Sequence, residues 1–300
     1  MKESLKSLDT EGINPDSKEI DKVSILEKIK IINSEDKKVA YAVEKQLSQI
    51  AEFIEHVVEG MKKGGRLFYV GAGTSGRLGV LDASECPPTY GVSPEVVQGL
   101  MAGGEMALSG SKEETEDDPE LGKRDLMEKN LTSNDTVLGI AASGRTPYVI
   151  GALQYANEIG AYTGSLSCTQ NATISKEAKT AIEVICGAEV ISGSTRMKAG
   201  TAQKMVLNMI STASMIAVGK VYKNYMVDVQ PSNEKLVARA KRLIQLACEC
   251  TEEEAVDLYE KSKGSVKCAI VMYECHVTLE EAQKLLKQSD DNINNVLNNQ

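Results

Sequence analysis

Histidine is scarce in this chain: its 300 residues hold two, His56 and His276. The first falls in a helical pattern and the second near the C-terminus. So few imidazoles argue against a Ser-His-Asp triad or a histidine-built metal site, and we expect neither metal nor cofactor. Acid–base chemistry then falls to carboxylates. Paired cysteines are missing too. The seven cysteines are an odd number without a C-x-x-C pair; Cys248 and Cys250 stand two apart, and Cys86, Cys168, Cys186, Cys268 and Cys275 are scattered. That pattern fits free thiols in a reducing compartment better than a disulfide framework or a zinc site.

No apolar run reaches membrane-spanning length, and Met1 to Asp16 is charged, without the apolar stretch of a secretory leader. We therefore expect a cytoplasmic protein that does not engage a membrane. A basic surplus is absent as well. The net charge of −9 argues against a nucleic-acid partner, which rewards a basic face. An acidic chain that holds a phosphate must do so locally, with backbone N–H groups, hydroxyls and a helix N-terminus. The apolar content of 42% is that of a globular protein.

What is present is a repeated strand–loop–helix signal. Arg66 to Val70 reads as a buried strand and runs into Gly71-Ala72-Gly73-Thr74-Ser75-Gly76-Arg77. The next segment, Asp82-Ala83-Ser84-Glu85-Cys86-Pro87-Pro88, sets a carboxyl group before a proline pair. Thr136 to Ala141 is a second apolar run, followed by Ser143-Gly144-Arg145-Thr146-Pro147. Two such units point to a phosphorylated small molecule. A third cluster, Gly193-Ser194-Thr195-Arg196-Met197-Lys198, opens a long apolar stretch to Val221. Its hydroxyls and cations serve equally well as a helix cap or as part of a polar pocket.

The periodicity gives the rest. Val39, Val43, Leu47, Ile50, Ile54, Val57 and Met61 mark one amphipathic helix ended by Gly64 and Gly65. Thr74 to about Ser84 reads as a helix stopped at Cys86 by Pro87. Further strands are expected at Val96–Met101, Tyr162–Leu166 and Ile182–Cys186, and a second long helix at Thr146–Glu158, with Thr146 as N-cap and Pro147 in its first turn. The stretch from Thr195 carries Met205, Leu207, Met209, Ile210, Met215 and Ile216 on more than one face, as a core helix or a subunit interface does. From about Ser232 the pattern is all-helical, and Asp290 to Gln300 reads as a frayed end. The fold class is α/β, a parallel sheet flanked by helices on both faces, with N-terminal helices and a small all-helical C-terminal module. The domains divide at 1–50, 51–225 and 226–300. In such sheets ligands bind beyond the carboxyl ends of the strands, where both loops fall.

Gly71, Gly73 and Gly76 fit the dinucleotide pattern G-x-G-x-x-G, but the candidate second strand ends in Ala102-Gly103-Gly104, not in an acidic residue for a ribose. Thr74 and Ser75 suit a phosphate monoester better. Placed at a helix C-terminus, Glu85 would have a raised pKa, useful in a proton donor. The acidic run Glu113 to Asp118 is by default an exposed loop, and spacing alone selects none of its members.

These motifs resemble the N-acetylmuramic acid 6-phosphate etherases. The resemblance is carried by Gly71 to Gly79, Asp82 to Thr89, Ile140 to Tyr148 and Gly193 to Thr201, with Asp228-Val229-Gln230 and Asn233, Lys235 and Leu236 behind them. It covers roughly Leu8 to Arg242 and departs at Ile13, where that pattern leads us to expect arginine. It implies a sugar isomerase (SIS) type domain that cleaves the lactyl ether of N-acetylmuramic acid 6-phosphate in cell-wall sugar recycling. By position, Glu85 then matches the proton-donating glutamate and Glu116 the second catalytic one. Thr74, Ser75, Ser143, Gly144, Arg145, Thr146, Ser194, Thr195 and Lys198 become the candidate substrate-binding residues.

A helix starting near Ser75 would carry Glu85 about 15 Å from the phosphate loop. Either that helix bends early or Glu85 serves a neighbouring subunit, which implies a homodimer with composite sites. Two other readings remain open. Glucokinase regulatory protein resembles these etherases, which allows a non-catalytic sugar-phosphate sensor, and the same fold allows an aldose–ketose isomerase or amino-sugar deaminase.

Overall fold

Leu67–Gly71 and Thr136–Ile140 are buried at every position, as parallel strands covered on both faces must be. They belong to a computed structural model that describes residues 9–110, 113–229 and 233–299. Of the positions quoted above, Met1 to Leu8, Gln230, Ser232 and Gln300 lie outside the described residues. In chain order the elements are α1 (Ile25–Glu44), α2 (Leu47–Lys62), β1 (Leu67–Gly71), α3 (Gly73–Tyr90), β2 (Val97–Met101), α4 (Met106–Ser109), α5 (Pro119–Glu128), β3 (Thr136–Ile140), α6 (Pro147–Ile159), β4 (Tyr162–Ser167), α7 (Thr173–Lys176), β5 (Thr180–Glu183) and α8 (Lys198–Ala217). A two-stranded hairpin, β6 (Val221–Tyr222) and β7 (Tyr225–Met226), precedes α9 (Glu234–Cys248), α10 (Glu252–Lys261), α11 (Val266–Cys275), α12 (Leu279–Gln288) and α13 (Ile293–Asn298).

The chain folds as two compact units. The first comprises the residues up to Ser84 and Glu95–Ser211; the second comprises Glu85–Pro94 and Thr212–Gln300. The first unit holds a five-stranded sheet of order β2-β1-β3-β4-β5, with every pairing parallel. Its two faces can be read from glycines. A Cβ on Gly139 would strike Val149 and Leu153 of α6, whereas one on Gly164 would strike Phe53 of α2. Gly164 pairs with Leu138, not Gly139, and adjacent residues of a strand face opposite ways. Helix α6 therefore covers one face and α2 the other, as the alternation of strands and helices requires. Phe68, Val70, Val137, Tyr148, Val149 and Leu153 form the core on the α6 side.

Four boundaries differ from the sequence expectation. The single amphipathic helix is two, α1 and α2, parted at Lys45 and Gln46; Gln46 spends its side-chain oxygen on the backbone N–H of Glu183 (3.1 Å). Gly64, with φ of 80°, ends α2 as expected. The fifth strand is Thr180–Glu183, not Ile182–Cys186, because its partner β4 ends at Ser167. Helix α8 begins at Lys198 and stops at Ala217, short of Val221. Helix α3 does not stop at Cys86 but runs through Pro87 and Pro88 to Tyr90. Each proline removes one backbone donor, yet Cys86 and Tyr90 are buried and Gly91 N–H donates to Pro87 O (2.9 Å). That tertiary burial outweighs a local penalty of roughly 3 kcal/mol per proline.

The second unit packs Ala240, Ile244, Ala269, Ile270, Ala282 and Leu286 into its own helical core. Thr251 with Glu254, and Thr278 with Glu281, cap α10 and α12 reciprocally. Lys267, nearly buried, pairs with Asp228 and Asp291, each at 2.7 Å. All seven cysteines are free thiols. Among the described residues, no helix is long and apolar enough to cross a membrane.

Candidate active site

Strand β1 ends at Gly71 and α3 begins at Gly73, a turn so tight that Gly73 takes φ of 53°, where a Cβ is strained. A Cβ there would also lie 3.2 Å from Glu116 Oε1. The carboxylate of Glu116, carried on the short 3-10 turn Glu113–Asp117, is thus set against the loop. Arg77 of α3 holds the preceding segment. Its guanidinium donates to the carbonyls of Ala107 (2.8 Å), Leu108 (3.0 Å) and Gly110 (2.7 Å). Ser75 is buried and donates to Gln203 Oε1 (3.1 Å). Thr74 meets the start of α8, since a Cβ on Gly200 would lie 3.6 Å from Thr74 Cγ2 and 3.8 Å from Thr195 O.

The second loop leaves β3, whose last residue Ile140 pairs with Gly71. The two loops therefore leave neighbouring strands at the same level. From β1 the sheet continues to β2 on one side and β3 on the other, the point of strand-order reversal where open parallel sheets bind ligands. Gly144 takes φ of 69°, and a Cβ on it would lie 2.4 Å from Ala172 Cβ. Thr146 stands at the N-cap of α6, with Pro147 as its first residue, but its side chain makes no capping bond. Capping therefore does not account for this hydroxyl. Ser143, Arg145 and Thr146 are half-buried.

The third cluster is not the cap of α8. Glu189, buried, caps it instead, accepting from the N–H groups of Lys198 and Ala199, each at 2.9 Å. Ser194 and Thr195 are left half-buried. Lys198, expected among the substrate-binding residues, has its amine buried against Glu35 Oε2 (2.6 Å). Burial would push the Glu35 carboxyl up, but hydrogen bonds from Lys198, Lys38 and Asn14 outweigh it and hold its pKa at about 2. Asn14 also donates to Ala188 O (3.1 Å), fastening the N-terminal segment. Ile13, the departure from the family pattern, is exposed.

Glu85 falls in the second unit. It is exposed and lines a cavity of about 740 Å³ with Pro87, Pro88, Met226, Leu236 and Arg239. Because α3 continues to Tyr90, Glu85 is not at a helix end, and the argument from the helix dipole lapses. The histidines take no part in the loops. His56 stacks on Tyr162, the first residue of β4, with ring centroids 3.6 Å apart, and His276 closes α11.

Residues 49–157 match the glucokinase regulatory protein N-terminal SIS domain and residues 114–213 the SIS domain. An N-acetylmuramic acid 6-phosphate etherase of Lactobacillus acidophilus is 54% identical over 98% of this chain and 99% of its own length. One of Clostridium beijerinckii is 56% identical over 93% and 92%. The chain belongs to the N-acetylmuramic acid 6-phosphate etherase family. Its parallel sheet flanked by helices is the SIS-type fold. Among solved structures it is similar to a phosphoheptose isomerase of Neisseria gonorrhoeae, at 14% identity and a TM-score of 0.46, covering 64% of this chain and 98% of the other.

Within this etherase-family chain, the first unit brings together the Gly71–Gly76 loop, Glu116, Thr195 and the Ser143–Thr146 loop. Lys198 is paired with Glu35, and Glu85 belongs to the other unit. Sequence reasoning missed Gln203, Glu189, Glu35 and Arg239. The first three act through contacts 128, 9 and 163 residues apart, and only Glu189 lay close enough to its partner to be found by spacing. Arg239, three residues after Leu236 on α9, could have been found as a cation on the face that Leu236 marks.

Proposed function

We propose that this chain is a carbon–oxygen lyase that cleaves the D-lactyl ether of N-acetylmuramic acid 6-phosphate, giving N-acetylglucosamine 6-phosphate and D-lactate. The observation that carries the reading is the Glu116 carboxylate set against the Gly73 turn, in a chain more than half identical to etherases along its length. Thr74, Ser143, Gly144, Arg145, Thr146, Ser194 and Thr195 bind the substrate around the phosphate, through hydroxyls, backbone N–H groups and one guanidinium. Ser75 is held by Gln203 and positions the loop.

With the sugar ring open, C2–H stands beside an aldehyde and is acidic. Glu116 takes that proton, a C2=C3 double bond forms, and the C3–O bond breaks. Glu85, as a carboxylic acid, protonates the departing oxygen to release D-lactate. Water then adds across the double bond, its hydroxyl to C3 and a proton to C2. The net reaction consumes one water, and each glutamate returns to its starting state.

Glu85 belongs to the second unit, whereas the phosphate-compatible loops belong to the first. From this we infer a homodimer in which Glu85 of one copy serves the loops of the other, in the cytoplasm. In D₂O, C2 of the product must acquire deuterium as lactate appears. If C2 exchange stops in Glu85→Gln but persists in Glu116→Gln, base and acid exchange roles. Mixing inactive Glu85→Gln and Ser143→Ala variants should restore activity; no recovery would count against shared sites.

A further inference from the structure

The cavity that holds Glu85 lies wholly within the second unit. Its described lining contains one acid, Glu85, and one cation, Arg239, beside apolar walls from Pro87, Pro88, Met226 and Leu236. Arg239 is exposed on α9. It makes no ion pair or hydrogen bond among the described residues. Leu236 and Arg239 are three residues apart and so share one face of that helix.

The lactyl arm has three recognisable parts, namely the ether oxygen, a methyl group and a carboxylate, all attached to a single carbon. A side chain that protonates the ether oxygen therefore brings the carboxylate and the methyl into its own cavity. The planar guanidinium offers paired N–H donors matched to a carboxylate, and the prolines, Met226 and Leu236 offer apolar surface to the methyl. We propose that Arg239 binds the lactyl carboxylate and thereby selects the muramic sugar over phosphosugars without that arm, an inference that rests on the etherase reading above. The phosphate is held elsewhere, so the two anionic groups of one substrate are read by different residues.

The test compares unaltered protein with Arg239→Ala, each checked for folding by circular dichroism and thermal melting. KM for N-acetylmuramic acid 6-phosphate should rise roughly tenfold to a hundredfold in the variant, the range for hydrogen bonds to charged groups. Inhibition by N-acetylglucosamine 6-phosphate, which lacks the arm, should not change. The unaltered protein should also discriminate against a substrate whose lactyl carboxylate is a carboxamide, and Arg239→Ala should not. The inference is overturned if unaltered protein treats acid and amide alike, or if Arg239→Ala weakens N-acetylglucosamine 6-phosphate as much as substrate. Failure of unaltered protein to release lactate at all overturns the etherase reading, and this inference with it.

Discussion

Replacing Lys198 by methionine removes the cation from a pair in which both side chains are 2% exposed and Nζ lies 2.6 Å from the carboxylate. Stranding a buried charge in this way costs about 3–5 kcal/mol. The lower end applies here, because Glu35 keeps hydrogen bonds from Asn14 and Lys38. For a unit of this size that is a fall in Tm of roughly 6–12 °C. The pH dependence follows from the same carboxyl. Its folded-state pKa of about 2 lies below the ordinary 4.5, so its stabilisation is full above that ordinary value and is lost as pH falls from there toward 2. In Lys198→Met the folded-state value moves back up, and less stability remains to be lost over that window. Urea unfolding at neutral pH and at steps down to about pH 3 measures both effects. A cost below about 1 kcal/mol, as for a surface pair, or a pH profile unaltered by the substitution, would refute the reasoning. So would a variant of full stability that has lost affinity only for the phosphosugar, since Lys198 would then be a ligand contact.

Three further outcomes follow from the geometry. Gly73→Ala forces a side chain into the left-handed region at a cost of roughly 1–2 kcal/mol and pushes on Glu116 Oε1, 3.2 Å away. Lactate release should therefore fall far more than melting temperature does. Gly151→Ala places a Cβ 2.0 Å from Pro119 O, so α5 and α6 must separate. The expected loss is about 2–3 kcal/mol, read by thermal unfolding. Glu189→Ala uncaps α8 at Lys198 and Ala199 and should cost about 1–2 kcal/mol, with KM rising because Ser194 and Thr195 lead directly into the helix start that Glu189 fixes.

Strands β1 and β3 were legible because each is a short, fully buried apolar run that leads into a loop of small and hydroxyl residues, whereas β4 alternates Thr163, Ser165 and Ser167 with Gly164 and Leu166 and was marked by its place after α6. The two loops were legible for the same reason: Gly73 and Gly144 both take positive φ where the sequence placed small residues. The course of α3 was not. Reading Pro87 as a stop considers only backbone donors, whereas burial of Cys86 and Tyr90 decides the outcome. Nor was the role of Lys198 legible, because the carboxylate that claims it is 163 residues away. A lysine beside two hydroxyls reads locally as a ligand contact. Glu116 was found through resemblance to a family; its place against Gly73 supplies the physical reason that spacing lacked.

The account stands on two glutamates acting on one anchored phosphosugar. Purified protein is incubated with N-acetylmuramic acid 6-phosphate and free D-lactate is assayed over time, alongside the Glu85→Gln and Glu116→Gln variants. Lactate should accumulate with the unaltered protein and fall steeply in both variants while their folds persist. Undiminished release from the double variant, or no release from the unaltered protein, would contradict it.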